Sequence, residues 1–378
     1  VAGNNVPDLD FLLASKLNGP LGYILQHRGY THTLLLAPLQ GLLIAALAWL
    51  WAWRKKIAFS KSDRNWILGL ALLGPFLHLA FDGLNSYGVH PLWPFNNRWM
   101  YGDTIFIVEP AIWVTLLPLL IIESVSRGGK LFFSVLLAVG VGACVFTGFV
   151  PWQLTLIVVA LTGWLLGLMT KIKPAARSIA TLLSLLLLLG SFAVVSARVR
   201  HSITEQVLKE FPGTRVLDIA LTPLPANPLC WSFWTVESLK GWYFARHGTY
   251  ATLPTILGAA ECPEIRTGTK HKFPLVPVPG PLRPELLWIE QYQAQIAGLK
   301  QLNQQSCLAA GFLRFGRVPA WVVTKEGRMI LGDLRFDRGS TRRGFASVVL
   351  PVRNSDEVCP TRIPEWTEPR RDLLTEPN

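Results

Sequence analysis

Charge is scarce in this chain, and it is missing unevenly. Only 16% of the 378 residues are Asp, Glu, Lys or Arg, while 51% are hydrophobic, and nearly all of that hydrophobicity lies before about residue 198. Three apolar runs between residues 131 and 197 hold almost no ionisable group, which leaves little from which to build an ion or proton pathway across a bilayer. Glycine-rich phosphate loops, zinc-finger spacings and serine-elbow motifs are all lacking. "GVGAC" at 140–144 reads as membrane packing. No basic, apolar, small-residue signal pattern precedes the first long apolar run, and the first residue is valine. The reading is a processed or trimmed product with something missing upstream.

What the chain does have is long apolar runs. About 20 helical residues cross the hydrocarbon core of a bilayer. Runs of that order cover Leu34–Trp53, Trp66–Phe81, Ile105–Ile122, Leu131–Val150 with Gln153–Thr170 after a Pro151-Trp152 corner, and Ser178–Ala197. The second is the shortest, at about 16 residues, which tilt or burial can accommodate. From Arg198 onward the sequence is mixed, charged and proline-rich. The expected fold is a membrane all-α helical bundle of about six transmembrane helices in residues 1–197, followed by a soluble α+β domain in residues 198–378. In that domain "CWSFWTVESLKGWYFARHGTYATL" reads as two strands with Gly241 near the turn. "PELLWIEQYQAQIAGLKQLNQQS" reads as a helix from Pro284. "RMILGDLRF" and "FASVVLPVR" suggest a closing hairpin, Trp231, Trp234, Trp242 and Tyr243 suggest core, and the tail from about Ile363 reads as loose.

Basic residues in short loops set membrane orientation. Arg54, Lys55, Lys56, Lys61 and Arg64 follow the first run, "ESVSRGGK" the third, and "KIKPAAR" the fifth, all on one side, assigned to the cytoplasm. Much of the net charge of +12 is explained there by topology and anionic lipid, so nucleic acid is not expected as a partner. The opposite face then carries "HRGYTHT", "HLAFDGLNSYGVHPLWPFNNRWMYGD" and the whole C-terminal domain, placing the latter in the periplasm of a bacterial inner membrane. Of the 5 cysteines, Cys230, Cys262, Cys307 and Cys359 fall in that domain. They allow two disulfides in any of three pairings, or four buried thiols.

Several metal-ligating side chains converge on the outer face. His27 and His32 are too far apart to share one helix face, but a break at Gly29 puts His27 on a loop and His32 at the start of the first span. His78 and Asp82 do share a face. A carboxylate near a helix C-terminus is disfavoured by about 0.3–1 kcal/mol, and a bound cation would reverse that sign. Asp8 and Asp10 lie upstream, Asp103 and Glu109 downstream. Imidazoles and carboxylates together are ligand types of zinc, manganese or iron. Each residue also has a plain structural reading: Asp8 and Asp10 as turn and cap, His27 and His32 as interfacial and capping neighbours, His78 with Asp82 as an unmetalled hydrogen bond, Glu109 as the ion-pair partner of Arg98 or Arg28. His90 reads as an interfacial loop residue. His201, His247 and His271 lack partners at ligand spacing, and no catalytic constellation is visible in the outer domain.

"PDLDFLL", "HRGYTHTLLL", "HLAFDGLNSYGVHPLWPF" and "RWMYGDTIFIVEP", in that order over residues 6–110, resemble the YdjM-type family, described as inner-membrane-associated metal-dependent hydrolases. "PANPLCW" at 225–231 and "GDLRF" at 332–336 are weaker resemblances. The resemblance implies that Asp8, Asp10, His27, His32, His78 and Asp82 gather at a metal site, with Asp103 and Glu109 in the same pocket. Thr33 stands where the family has serine. Members also carry a histidine-containing segment upstream of the point where this sequence starts.

These readings together point to a membrane-embedded hydrolase holding a divalent cation, zinc before manganese or iron. A bound cation lowers the pKa of a coordinated water toward about 7. Glu109 or Asp103 would act as general acid or base, and Arg28 and Arg98 would clamp an anionic group, favouring a phosphoester or lipid-linked substrate. The competing expectations are an ion transporter, or a non-catalytic membrane protein with a structural metal site and a partner-binding outer domain. Substrate and oligomeric state are not legible.

Overall fold

A computed structural model describes residues 2–12, 14, 19–263, 274–278, 280–324, 327–336, 345–351, 356–360 and 362–375; His271 lies outside them. The first 210 residues are helical, and antiparallel sheet dominates the remainder. A short helix α1 (Gly22–Gln26) precedes α2 (Leu36–Arg54), α3 (Lys61–Gly83), α4 (Pro110–Glu123), α5 (Arg127–Phe146), α6 (Trp152–Lys171) and α7 (Pro174–Glu210). Five of these, α2, α3, α5, α6 and α7, are long and apolar enough to cross a membrane, and α4 is a shorter apolar helix. Only 11–22% of the residues in the five spans are buried; their apolar outer faces suit lipid and not water. The chain is a membrane-associated helical bundle with an α+β part after it.

Helix boundaries depart from the apolar runs where capping chemistry intervenes. The second span is not the shortest: α3 has 23 residues. Ser60 and Asp63 form a reciprocal capping box, Ser60 Oγ accepting from Asp63 N and Asp63 Oδ2 from Ser60 N, which recruits the polar "KSDRN" into the helix. The third is shorter than its run, 14 residues from Pro110. Proline is favoured at a first helical position, and Glu109 caps it by accepting from Ala111 N. The last helix runs unbroken for 37 residues, through residues 197 and 198. Val199, Ile203 and Val207 continue a buried stripe at helical spacing, and this stripe is what the sheet rests on.

The main sheet comprises β1 (Arg215–Leu224), β2 (Asn227–Leu239), β3 (Trp242–Ala251), β4 (Val276–Pro277) and β5 (Leu286–Gln295), ordered β1-β2-β3-β5-β4 and antiparallel throughout. Gly241 makes the β2–β3 turn at φ +78°. One face, with Ile219, Leu221, Trp231 and Phe233, packs on α7. The other, with Ala220, Trp234, Val236 and Tyr243, packs on α8 (Ile296–Gln305), α9 (Cys307–Leu313) and the second sheet, β6 (Pro319–Val323), β7 (Met329–Asp333) and β8 (Ser347–Leu350). Leu21, Ile24, Leu25, Tyr87 and Trp99 of the N-terminal part enter the same core. Trp231, Trp234 and Tyr243 are core as expected, whereas Trp242 is 41% exposed. Disulfides join Cys230 to Cys262 and Cys307 to Cys359.

Three local expectations are overturned. The helix expected from Pro284 is the strand β5, and helix begins only at Ile296. The slot between β3 and β4 outweighs the helix propensity of its glutamines and glutamate. The tail beyond Ile363 is not loose. Trp366 is fully buried, Arg314 Nη1 donates to its carbonyl at 2.7 Å, and α10 (Arg371–Thr375) comes next. One large aromatic side chain suffices to pin a proline-rich segment. His90 is likewise not interfacial: it is buried between Trp99 and Trp366, centroids 3.8 and 4.0 Å away. Burial pushes its imidazole pKa down to about 3.

Candidate metal centre

The site is assembled from the N-terminal segment, the "HRGYTHT" loop and the end of α3. The N-terminal segment reaches α3 through a close approach at Gly74, where a Cβ would lie 2.7–2.9 Å from the backbone of Gly3 and Asn4; only glycine admits it. That contact brings the Asn4 carbonyl 2.7 Å from His78 Nδ1. Pro7 then starts a single tight turn, Pro7–Asp10, carrying both aspartates. Helix α1 ends before His27, Arg28 takes φ +58°, and Arg28 N donates to Asp10 Oδ2 at 3.2 Å. The chain reverses there and delivers His32. His78 and Asp82 project from one face of α3, one turn apart.

Four donor atoms meet. His32 Nε2 and His78 Nε2 are 3.0 Å apart. Asp8 Oδ1 is 3.3 Å from both, and Asp82 Oδ2 is 3.2 and 3.3 Å from them. A tetrahedron with ligands about 2.0–2.1 Å from its centre has edges of about 3.3–3.4 Å, so this spacing matches the bond lengths of zinc to imidazole and carboxylate. Among the described residues, buried Asp82 Oδ2 makes no hydrogen bond of good geometry despite these two close nitrogens, as expected for an oxygen aimed at a cation. The donor set therefore fits a small divalent ion. Asp8 has a side chain 42% exposed, whereas that of His32 is 0% exposed, so the cluster is closed on one side and reachable on the other.

Behind the donors the remaining nitrogens are held. His32 Nδ1 faces Thr31 Oγ1 at 3.0 Å and Asp10 Oδ2 at 3.5 Å; His78 Nδ1 faces the Asn4 carbonyl. Fixing the far nitrogen selects the tautomer that presents Nε2 to a metal. Asp10 is occupied in this way, taking His27 Nδ1 at 2.9 Å on Oδ1 and the Thr31 hydroxyl at 2.6 Å on Oδ2. Arg28 pairs with the outer oxygen of Asp82 at 2.8 Å and donates to Asn85 Oδ1 at 3.0 Å. Electrostatically the site calls for a positive charge. Burial works against charging His32, yet the carboxylates of Asp10, Asp8 and Asp82 close around it overcome that and raise its pKa to about 10. Burial likewise opposes ionising Asp8 and Asp10, yet their histidine partners hold both carboxyls well below the usual range. A proton on His32 and a metal ion are two answers to one field.

These residues lie on the segment that sequence comparison singles out. Residues 1–153 match the YdjM inner membrane protein family. The resemblance read from the four motifs is thus found by family comparison, and it covers the helices through α5. A stretch of 115 residues is 29% identical to the uncharacterized protein YfhP of Bacillus subtilis (strain 168), spanning 30% of this chain and 32% of that relative. No solved structure matches.

Within the YdjM-like region the structure divides the expected site residues into three groups. Asp8, His32, His78 and Asp82 come together as one donor set. Asp10, His27 and Arg28 stand directly behind it, though Asp8, Asp10 and His27 also approach closely enough to share an ion. Asp103 and Glu109 go elsewhere, against the expectation of a common pocket. Asp103 is buried under Arg317, which bonds both its oxygens at 2.8 and 2.7 Å, with Arg200 on Oδ2. Glu109 Oε1 accepts from Ala111 N and Ala226 N, not from Arg98 or Arg28. Arg98 is exposed, and Arg28 is committed to Asp82 and Asn85. Sequence reading missed Asn4, Thr31 and Asn85, although Thr31 and Asn85 sit inside the quoted motifs. It also missed Trp366, whose Nε1 donates to Leu25 O at 3.1 Å and whose ring packs on Tyr30 at 4.8 Å.

Proposed function

We propose that this chain is a metal-dependent hydrolase of the bacterial inner membrane, with a divalent cation, zinc in the first instance, held by Asp8, His32, His78 and Asp82. The observation that carries the reading is the donor set itself: two imidazole nitrogens and two carboxylate oxygens at tetrahedral spacing, open to solvent beside Asp8. A catalytic zinc keeps three protein ligands and an open position; with four donors here, the exposed Asp8 would be the one to yield that position. When bound, such an ion supplies Lewis acidity and a water acidified toward neutral pH. The chain's own residues do the rest. Asp10 and the Asn4 carbonyl orient the imidazoles, Arg28 holds Asp82 in place, and the partly exposed Asp8 carboxylate is the residue nearest an entering substrate.

Orientation supports an outward-facing site. Arg54 ends α2 with Lys55 and Lys56 after it, and Lys171 ends α6 with Lys173 after it, so positive charge marks those helix ends as cytoplasmic. The cluster sits at the opposite ends of α2 and α3, on the side of the sheet domain. Two disulfides in that domain suit an oxidising compartment, here the periplasm. A site at the membrane surface suits an ester presented there, of which a phosphoester borne on a lipid is the simplest. The test is elemental analysis of detergent-purified protein beside His78→Ala and Asp82→Asn, followed by assay of phosphoesters with and without chelation. Stoichiometric zinc, manganese or iron, lost in both variants and required for turnover, is expected. Folded wild-type protein that binds none on addition would sink the reading.

A further inference from the structure

The outer domain contains a second constellation, independent of the metal centre. On the sheet face that carries Trp234, Ser232 Oγ lies 3.1 Å from His247 Nε2, and His247 Nδ1 lies 3.7 Å from Glu290 Oε1. We propose that Ser232, His247 and Glu290 form a nucleophilic acyl-transfer site for esters of short acyl chains, with Ser232 as nucleophile, His247 as general base and Glu290 as the positioning carboxylate.

The sheet brings the three together by register. Trp234 of β2 pairs with His247 of β3, and His247 pairs with Glu290 of β5. Ser232, two residues from Trp234, shares its face. Immediately beyond His247 the β3–β5 ladder is irregular: Gly248 pairs with Trp288, leaving one extra residue on β5. Such bulges re-aim side chains, and they concentrate beside active sites. Here the bulge turns Trp288 into the α7 core while Glu290 faces His247. Gly248 is obligatory at that point, since a Cβ would lie 2.5 Å from Phe233 and 2.6 Å from the Leu287 carbonyl.

Ser232 also lines a cavity of about 190 Å³ between the sheet and the "NSYG" loop. Phe106, Ile107 and Phe336 give it an apolar lining, while Asn85, Ser86, Thr222 and Arg335 are among its polar neighbours. The serine–histidine distance falls within the range for an activated nucleophile, about 2.6–3.2 Å. The carboxylate contact is longer, as such contacts are before substrate tightens them. In the step itself, Ser232 Oγ bonds to the acyl carbon as its proton passes to His247 Nε2. The alcohol leaves carrying that proton, and water, deprotonated by His247, releases the acid and restores the serine.

The test uses the whole chain in detergent and a small dialkyl fluorophosphate, with the adduct located by peptide mass spectrometry, and p-nitrophenyl acetate as reporter ester. One adduct on Ser232 is expected, absent in Ser232→Ala. Its rate should fall about 100-fold or more in His247→Gln. Glu290→Gln should slow labelling and Glu290→Asp recover part of it, which a purely structural carboxylate would not do once thermal melts match. Labelling should persist after chelation, separating this site from the metal centre. Failure to label Ser232 in folded protein, or labelling indifferent to His247→Gln, would overturn the proposal.

Discussion

Asp10 separates a residue that binds metal from one that aims the residues that do. Its oxygens contact His27 Nδ1 at 2.9 Å, the Thr31 hydroxyl at 2.6 Å, Arg28 N at 3.2 Å and His32 Nδ1 at 3.5 Å. Asp10→Asn preserves shape but replaces one acceptor with an NH₂ donor. If the amide nitrogen takes the Oδ2 position, it faces the Thr31 hydroxyl and the Arg28 N–H with nothing to accept them; if it takes Oδ1, it opposes His27. Either way the anchor of the His32 ring is weakened while all four direct donors remain. Loss of an orienting partner of this kind costs about 10–100-fold in metal affinity, or about 1.4–2.7 kcal/mol. Competition titration against a chromophoric chelator should therefore show weaker binding with unchanged stoichiometry. His78→Ala, which removes a donor, should lose far more and lower the stoichiometry. Were Asp10→Asn as damaging as His78→Ala, Asp10 would be a ligand; were it silent, its hydrogen bonds would orient nothing that matters.

Three further outcomes are expected from the packing. Trp366→Ala removes a fully buried ring lying against Tyr30 and His90, and should destabilise the protein by about 3–5 kcal/mol while weakening metal binding; a thermal melt paired with chelator competition checks both. Arg317→Ala removes the fully buried guanidinium shared by Asp103 and Asp218, leaving them Arg200 and Arg370, at about 3–5 kcal/mol, yet should leave metal stoichiometry intact, because that network is separate from the donor set. His90, held neutral with its pKa pushed down to about 3, takes up a proton more readily when unfolded. Stability should thus be full above the ordinary histidine pKa of about 6.5 and fall as pH drops from there toward 3, by at most about 1.4 kcal/mol per unit from this group. Denaturation curves across that window should be flatter in His90→Phe; an unchanged slope would refute the assignment.

Length and period made the helices legible, since some twenty apolar residues in a row match what a membrane span needs. The donors were legible as residue types, because His78 and Asp82 are one turn apart on any helix. Rank within the site was not. Whether Asp8 or Asp10 faces the cation is decided by a single tight turn and by Gly74, which admits the N-terminal segment to α3. Asp103 and Glu109 misled because one-sidedness along the membrane normal says nothing about lateral position; Arg317, more than two hundred residues away, claims Asp103. Strand β5 misled because good helix formers were read without the slot awaiting them. The Ser232–His247–Glu290 row was invisible for the same reason: strand register, not sequence spacing, makes those three residues neighbours.

The burial of Trp366 against Leu25 and Tyr30 also dictates an order of events. The loop carrying His27 and His32 emerges from the ribosome among the first residues of this sequence, yet the side chain that backs it arrives more than three hundred residues later. Between those moments α2 to α7 and both sheets are made. The loop that carries His32 is thus backed by a side chain made long after it. A protein halted or clipped before Trp366 would carry Asp8, His32, His78 and Asp82 with a loosened loop, and is expected to bind a divalent ion more weakly than the whole chain.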